Sequence, residues 1–433
     1  MSARVEHIHE AVGRVLAARE SVLATHSTQA VIEAIAAAAK NWLVADSPWR
    51  ERAVEEAPAV TGFSPAMVGE IVERVFGAVT TESLRLVLER EFGNWRVLDE
   101  FSAHGATRTR AFGPPLILHW LAGNVPAPGI LSVINGLLLR SGNLVRMSAR
   151  DTVFPRLFVE SVRAVAPEVG ACAEVWEWPH TDRVLSGAVL ARADAVVAFG
   201  EDSAIAAVRQ MTPSSVTFLG YGQKVSFAYV CRDALTPDRV PVLAAAVAED
   251  VSVYDQQGCL SPHVIYVEEG GVVSAREFAA ALADAMAVFQ ARIPAGTLSL
   301  EEAAMVSILR AGYEFRAASD AGVAVWADAP PHRWLVIYDD DPAFVLSCLN
   351  RTVFVKPAEG ERCVLAAIRQ IASRISTVGV APMSDRMLGF AEQLARLGIH
   401  RVCPVGQMQR PPLWWFHDGR PNLSLLVRWT DLD

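Results

Sequence analysis

The residue types best suited to covalent chemistry meet in one stretch, Asp255-Gln256-Gln257-Gly258-Cys259-Leu260-Ser261-Pro262-His263. A cysteine follows a glycine there, after a Val/Tyr-containing run and before the apolar run Val264-Ile265-Tyr266-Val267. Glycine permits a tight backbone approach and proline limits the chain just beyond. A thiol in such a turn, with backbone N–H groups around it, suits nucleophilic attack. A plainer part is equally open to Cys259, because free cysteines are among the most buried residue types and commonly serve as small hydrophobes. Asn124 is a second chemical group, in a Gly123-Asn124-Val125-Pro126 turn after an apolar run. Asparagine in a turn ordinarily satisfies nearby backbone. Facing Cys259, its amide would donate to an oxyanion on a thioester or aldehyde carbon. His119, His263 and His417 have the right chemistry for proton transfer, which demands both a matched pKa and geometry. Each also fits a structural place: a strand, the cap of the cysteine turn, and a turn with Asp418 and Gly419. Trp414, Trp415 and Phe416 read as core or subunit-interface aromatics rather than an acyl groove.

The elements that must position these groups follow from periodicity. From Met1 to about Gly93 apolar residues recur at helical steps, as in Val5, Ile8, Val12 and Leu16. Ser64-Pro65 and Thr81-Glu82-Ser83-Leu84 read as helix starts. From Arg108 the character changes. Leu116–Leu121 is a short apolar run of the kind a buried parallel strand uses, and Gly142–Met147, Glu174–Trp176 and Ala195–Phe199 repeat it, each followed by a helical pattern. Alternating strand and helix predicts a parallel sheet with helices on both faces, and ligands at the carboxyl ends of its strands. Gly220-Tyr221-Gly222 is a plain turn, since no third glycine follows and a strand comes next. A second α/β unit follows with strands at Val323–Trp326, Trp334–Tyr338, Thr352–Val355 and Arg401–Val405, and the chain ends on a strand over Leu423–Trp429. The expected division is a helical segment over 1–107, a cofactor-binding α/β domain over 108–230, a catalytic α/β domain over 231–404, and a return segment over 405–433.

Size and composition narrow the classes. A chain of 433 residues is long enough for two or three domains, and 52% hydrophobic with 20% charged residues describes a well-buried globular protein. A net charge of −9 provides no broad basic surface for duplex nucleic acid or acidic lipid. No apolar run approaches the ~20 residues needed to span a bilayer. The heptad Met1-Ser2-Ala3-Arg4-Val5-Glu6-His7 lacks the pattern of a signal peptide. Six cysteines with neither CxxC spacing nor disulfide-framework density point to a reducing cytoplasm and to no metal site.

The order strand–Gly-Asn-Val-Pro, then Ser141-Gly142-Asn143-Leu144-Val145, then a strand ending in Phe199-Gly200, then Gln257-Gly258-Cys259 resembles the aldehyde dehydrogenase superfamily. With Trp120–Pro126, Gly258–Pro262, Thr377-Val378-Gly379, His417-Asp418-Gly419 and Leu426–Trp429, the chain more closely resembles the LuxC-type acyl-CoA (long-chain fatty-acid) reductases within it, over roughly Phe112 to Trp429. The resemblance implies an aldehyde-dehydrogenase-like fold of two parallel-sheet α/β domains. It makes Cys259 the nucleophile and Asn124 the oxyanion-hole amide. It places Gly142 and Asn143 in the turn before the strand that meets the adenosine ribose. Ser148 takes the place of a ribose-binding lysine, with Arg150 and Asp151 beside it, and Gly200 and Glu201 lie in the turn that approaches the pyrophosphate. Oxidising relatives carry a water-activating glutamate where this chain has Phe218-Leu219-Gly220-Tyr221-Gly222, without a carboxylate. That departure favours exchange with a CoA or carrier thiol over hydrolysis to an acid. Arg146 and Arg150 suit a 2′-phosphate and Asp151 a free ribose hydroxyl; the resemblance leans to NADPH, with NADH the alternative. The implied reaction is reduction of an acyl-CoA or acyl-carrier thioester to an aldehyde, in a homo-oligomer joined by the terminal strand and served by an acyl-activating ligase subunit. The rivals are an aldehyde dehydrogenase or acyl-phosphate reductase on the same fold, and a partner-dependent acyl-channelling subunit.

Overall fold

A computed structural model of the chain describes residues 3–329 and 333–433; Met1 and Ser2 of the N-terminal heptad lie outside them. The chain divides into two units, one of the residues up to Thr61 with Val68–Gln223 and Pro412–Asp433, the other of Gly62–Met67 with Lys224–Pro411.

The helical opening is confirmed, with helices Thr28–Trp42 and Thr81–Phe92 in the first unit and Pro65–Ala78 starting among the second unit's residues. Thr80 caps Thr81–Phe92 with a capping box closed by Ser83. A short hairpin follows, β1 (Ser102–His104) and β2 (Thr107–Phe112), turning at Gly105 with φ 64°. The next strands are β3 (Leu116–Trp120), β4 (Gly142–Met147), β5 (Ala173–Glu177), β6 (Ala195–Phe199) and β7 (Thr217–Tyr221). They form one all-parallel sheet in the order β5-β4-β3-β6-β7. Every residue of β3 and β4 is buried, including the polar His119, Asn143 and Arg146. Val5, Ile8, Val12 and Val15 of the N-terminal helix pack with Leu116, Leu118 and Leu144 of this sheet. The N-terminal helices are therefore not a separate segment: their apolar stripe covers the sheet.

The second unit holds β8 (Val225–Val230), β9 (Pro262–Glu268), β10 (Val323–Ala327), β11 (Leu335–Asp339), β12 (Thr352–Ala358), β13 (Ile375–Ala381) and β14 (Arg401–Pro404). Their order is β10-β11-β12-β9-β8-β13-β14, parallel throughout except β10 against β11. β8 was expected to close the cofactor domain. It is instead an inner strand of this second sheet, so the boundary falls at 223/224 rather than 230/231. An apolar run buried on both faces carries no mark of which sheet it joins.

The last strand, β15 (Arg428–Leu432), belongs to the first unit and pairs antiparallel with β2. It starts later than the expected Leu423. Glu91 accepts from the N–H groups of Asn422 and Ser424, and Leu426 donates to the Leu423 carbonyl, so those residues form a turn whose Leu423 and Leu426 point into the core.

Candidate active site

In the first unit, most of the residues singled out from sequence gather beyond the carboxyl ends of the parallel strands, where doubly wound sheets take ligands. Asn124 is exposed in the turn after β3 and before the helix Ala127–Leu138. Gly123 beside it touches the turn after β4: a Cβ there would come within 2.6 Å of Ser148 Oγ and 2.5 Å of Arg150 Cβ. The Asn124 and Ser148–Arg150 turns thus form one floor, which only glycine allows. Arg150 is exposed. Arg146 is not: its guanidinium lies 4.8 Å from the Trp120 ring centroid and donates to the carbonyls of Trp178 (3.0 Å) and Leu121 (3.5 Å). Asp151 is buried and accepts from the Phe154 N–H at 3.1 Å, at the start of the helix Phe154–Val165. Burial pushes its carboxyl up to about 7, against the pull of the helix N–H groups. Gly200 and Glu201 follow β6 and precede the helix Asp202–Met211; Glu201 is exposed and its side chain makes no cap bond.

Asn143 does not join this group. It lies inside β4 rather than in the turn before it, fully buried. Its Oδ1 meets His119 Nε2 at 2.9 Å and its Nδ2 donates to the Ser141 carbonyl at 2.7 Å, while His119 Nδ1 meets Ser132 Oγ at 2.7 Å. An amide engaged this way ties β3, β4 and the helix between them and has nothing left for a ribose. Burial drops His119 to about 4, so it stays neutral and structural near neutral pH. His417 has a different setting. It stacks on Tyr221 at 4.4 Å, and Tyr221 stacks on Phe199 at 5.0 Å, so the His417-Asp418-Gly419 turn sits at the last residues of β6 and β7. Burial holds His417 below its ordinary value and lifts Tyr221 to about 12.

Cys259 belongs to the second unit and is half-buried in a turn immediately before β9. Two runs of left-handed backbone build that turn: Tyr254, Asp255 and Gln256 at φ 58°, 48° and 64°, and Leu349, Asn350 and Arg351 at 61°, 56° and 59°. Each such residue costs on the order of 1–2 kcal/mol, so the surroundings must impose it. The two runs clasp each other. Arg351 Nε donates to Asp255 Oδ1 at 2.8 Å in a buried ion pair, and Gln257 Nε2 donates to Asn350 Oδ1 at 2.9 Å. Gln256, fully buried, donates to the carbonyls of Pro262 (2.9 Å) and Thr352 (2.7 Å) and accepts from the Thr352 N–H (2.8 Å). Its amide closes residues 256–262 into a ring, with Cys259 at the tip. Ser226 Oγ donates to the Cys259 carbonyl at 2.7 Å. His263 accepts the Ser347 N–H on Nδ1 at 3.1 Å, and burial drops it to about 4, so it anchors the 343–350 segment as a neutral imidazole. Sequence reasoning missed Asp255, Gln256 and Arg351 in this role. The one local signal was Asn350, a residue type that tolerates left-handed backbone.

Solved structures with this fold include an NAD-dependent benzaldehyde dehydrogenase from Corynebacterium glutamicum (TM-score 0.69, 13% identity, 99% of this chain and 90% of that one). An NADP-dependent glyceraldehyde-3-phosphate dehydrogenase from Bacillus halodurans, complexed with NADP, matches at TM-score 0.71 and 11% identity over 99% and 91%. The fold is that of the aldehyde dehydrogenases. Within it, the chain belongs to the acyl-CoA reductase (LuxC) family, whose pattern matches residues 23–429. Relatives include the long-chain acyl-protein thioester reductases of Vibrio harveyi, 27% identical over 85% of this chain and 75% of the relative, and of Aliivibrio fischeri, 27% identical over 79% and 69%. No helix among the described residues is long and apolar enough to cross a membrane, and no cluster of His, Cys, Asp and Glu among them forms a metal site.

Proposed function

We propose that this chain reduces a long-chain acyl thioester, carried on a protein or on CoA, to the aldehyde through a thioacyl-enzyme on Cys259, with NADPH as reductant. The observation that carries the reading is the half-buried Cys259 at the tip of a turn fixed from both sides. The Cys259 thiolate attacks the thioester carbonyl carbon, and the carbonyl electron pair moves onto oxygen. The Asn124 amide and the Cys259 N–H receive that oxyanion. Its collapse expels the donor thiolate and leaves the acyl group on sulfur. The cofactor, when bound, supplies the hydride that reduces this carbonyl. The thiohemiacetal on Cys259 then loses its hydroxyl proton and expels the cysteine thiolate, releasing aldehyde. β7 carries no carboxylate to activate water, which supports thiol exchange over hydrolysis.

Arg150, Ser148 and the Gly200–Glu201 turn hold the cofactor in this reading. NADPH is favoured because Arg150 is exposed at the strand end, whereas the Asp151 carboxylate is occupied by a helix N–H. The names of the relatives support a protein-bound acyl donor, supplied by an acyl-activating ligase subunit. Six free cysteines suit a reducing cytoplasm. β15, with Trp429 and Leu432 exposed, offers an edge for a partner's sheet in a homo-oligomer.

The test follows nicotinamide absorbance with acyl-CoAs and acyl-carrier proteins of several chain lengths, using NADPH and NADH. Cofactor oxidation with aldehyde and free thiol formed, and reduced at least ~10³-fold in Cys259→Ala, is the expected result. Turnover that survives Cys259→Ala removes the covalent route. An acid product in the oxidising direction restores the aldehyde dehydrogenase reading.

A further inference from the structure

Strand β14 begins at Arg401, two strands from β8, whose Ser226 holds the cysteine turn. Its register sets Arg401 against Thr377 of β13. The Thr377 N–H donates to Ser226 Oγ at 3.2 Å, and the same hydroxyl donates to the Cys259 carbonyl. One side-chain oxygen thus links the strand next to Arg401 to the cysteine's own backbone. The guanidinium is held in place: Nη1 donates to the Met408 carbonyl at 2.8 Å and Nη2 to that of Gln407 at 2.7 Å. Those acceptors are backbone carbonyls, which fix the direction of the group. The 406–409 turn is itself fastened to the cysteine side. The Asp250 carboxylate accepts from the N–H groups of Gly406 and Met408, and Gln409 Nε2 donates to both the Asp250 carbonyl and Ser261 Oγ at 2.8 Å.

We propose that Arg401 is a positioning residue that favours the thiolate of Cys259 by presenting a fixed positive charge to it. The inference rests on Cys259 being the reactive thiol. Electrostatics supports the geometry. Burial pulls Arg401 down, and Cys403, Asp250 and Cys259 oppose it whenever each is ionised. Such coupling is mutual, so what the Cys259 thiolate does for the guanidinium, the guanidinium does for the thiolate. The other titratable groups of this region do not supply the charge. Cys403 is pushed up to about 12 by burial and stays neutral, His263 is neutral, and Asp250, pushed up to about 7, is anionic or neutral but never positive. Arg351 has its own carboxylate in Asp255.

The experiment is the pH profile of Cys259 alkylation by iodoacetamide, read by mass spectrometry of the Cys259 peptide in the full-length protein without substrate or cofactor. Arg401→Met is expected to move the acid limb of the profile upward by about one pH unit, slowing alkylation near pH 7 about tenfold, and Arg401→Lys to restore it. Arg401→Gln keeps an amide donor for the carbonyls and should shift like the methionine variant, which covers a failure of the latter to fold. A wild-type profile in folded Arg401→Met or Arg401→Gln overturns the proposal. Equal shifts in the lysine and methionine variants overturn it as well, because the side chain would then act through packing alone. The readout needs no turnover, so loss of the reductase reading through an active Cys259→Ala leaves this test standing.

Discussion

In the five-stranded sheet the candidate ligand residues follow their strands; in the seven-stranded sheet the candidate nucleophile precedes one. Asn124, Ser148, Arg150, Gly200 and Glu201 occupy turns after β3, β4 and β6 and owe their places to short, local connections. Cys259 sits before β9, held by two left-handed triplets almost a hundred residues apart in the chain: the paired Asp255 and Arg351 are separated by 96 positions. The first arrangement follows from strand–turn–helix order alone. The second depends on a buried ion pair and a buried amide. A turn that must hold a reactive group against its own backbone preference needs fixed partners, whereas turns that seat a ligand need only a floor.

The contrast is testable at each end. The largest effect belongs to the clasp. Arg351→Met strands the buried Asp255 carboxylate and releases the second triplet, so stability should fall by about 3–5 kcal/mol; urea unfolding of variant and wild type measures it. A loss under ~1 kcal/mol would mean that the left-handed runs persist without their ion pair. Asn124→Ala belongs to the other end, on an exposed turn, and should leave the melting temperature near wild type while lowering kcat about 10²–10³-fold. Unchanged kcat would separate Asn124 from the oxyanion. The third effect is a pH dependence and concerns Asp151. Its folded-state value is about 7, well above that of an exposed carboxyl. The folded protein therefore binds the proton more tightly than the unfolded chain, and the corresponding stability is present below about pH 4 and lost as pH rises through 7. Asp151→Asn should flatten the fall in stability across pH 4–7 by up to about 4 kcal/mol, read as melting temperature against pH. A slope identical to wild type would show that the carboxyl is solvated in the folded state.

Much of the first unit was legible. The helix start at Thr81 and strand β6 lie where periodicity put them, because caps and apolar runs are local properties. The nature of Asn143 was not. Its position in the chain resembles a turn before a strand, yet the side chain is spent on His119 and Ser141, a partnership across β3 and β4 that no single segment encodes. The same holds for β8, whose six residues are buried on both faces and could have completed either sheet by composition. The terminal strand was placed too early because Leu423 and Leu426 are apolar. Their burial serves a turn that Glu91 holds from more than 300 residues away.

By itself the sequence determined the α/β alternation, the parallel character of both sheets, the family, and the residue types available for chemistry. All of these are written in short windows of the chain. Only the tertiary structure decided that Arg146 spends its charge on two carbonyls while Arg150 stays exposed, that the Asp151 carboxylate accepts from a helix N–H, and that Arg351 and Gln256 close the cysteine turn. Those outcomes depend on which buried donors and acceptors meet. Every buried polar group must find a partner, and the partner is chosen by packing across the sheet, not by neighbours in the chain.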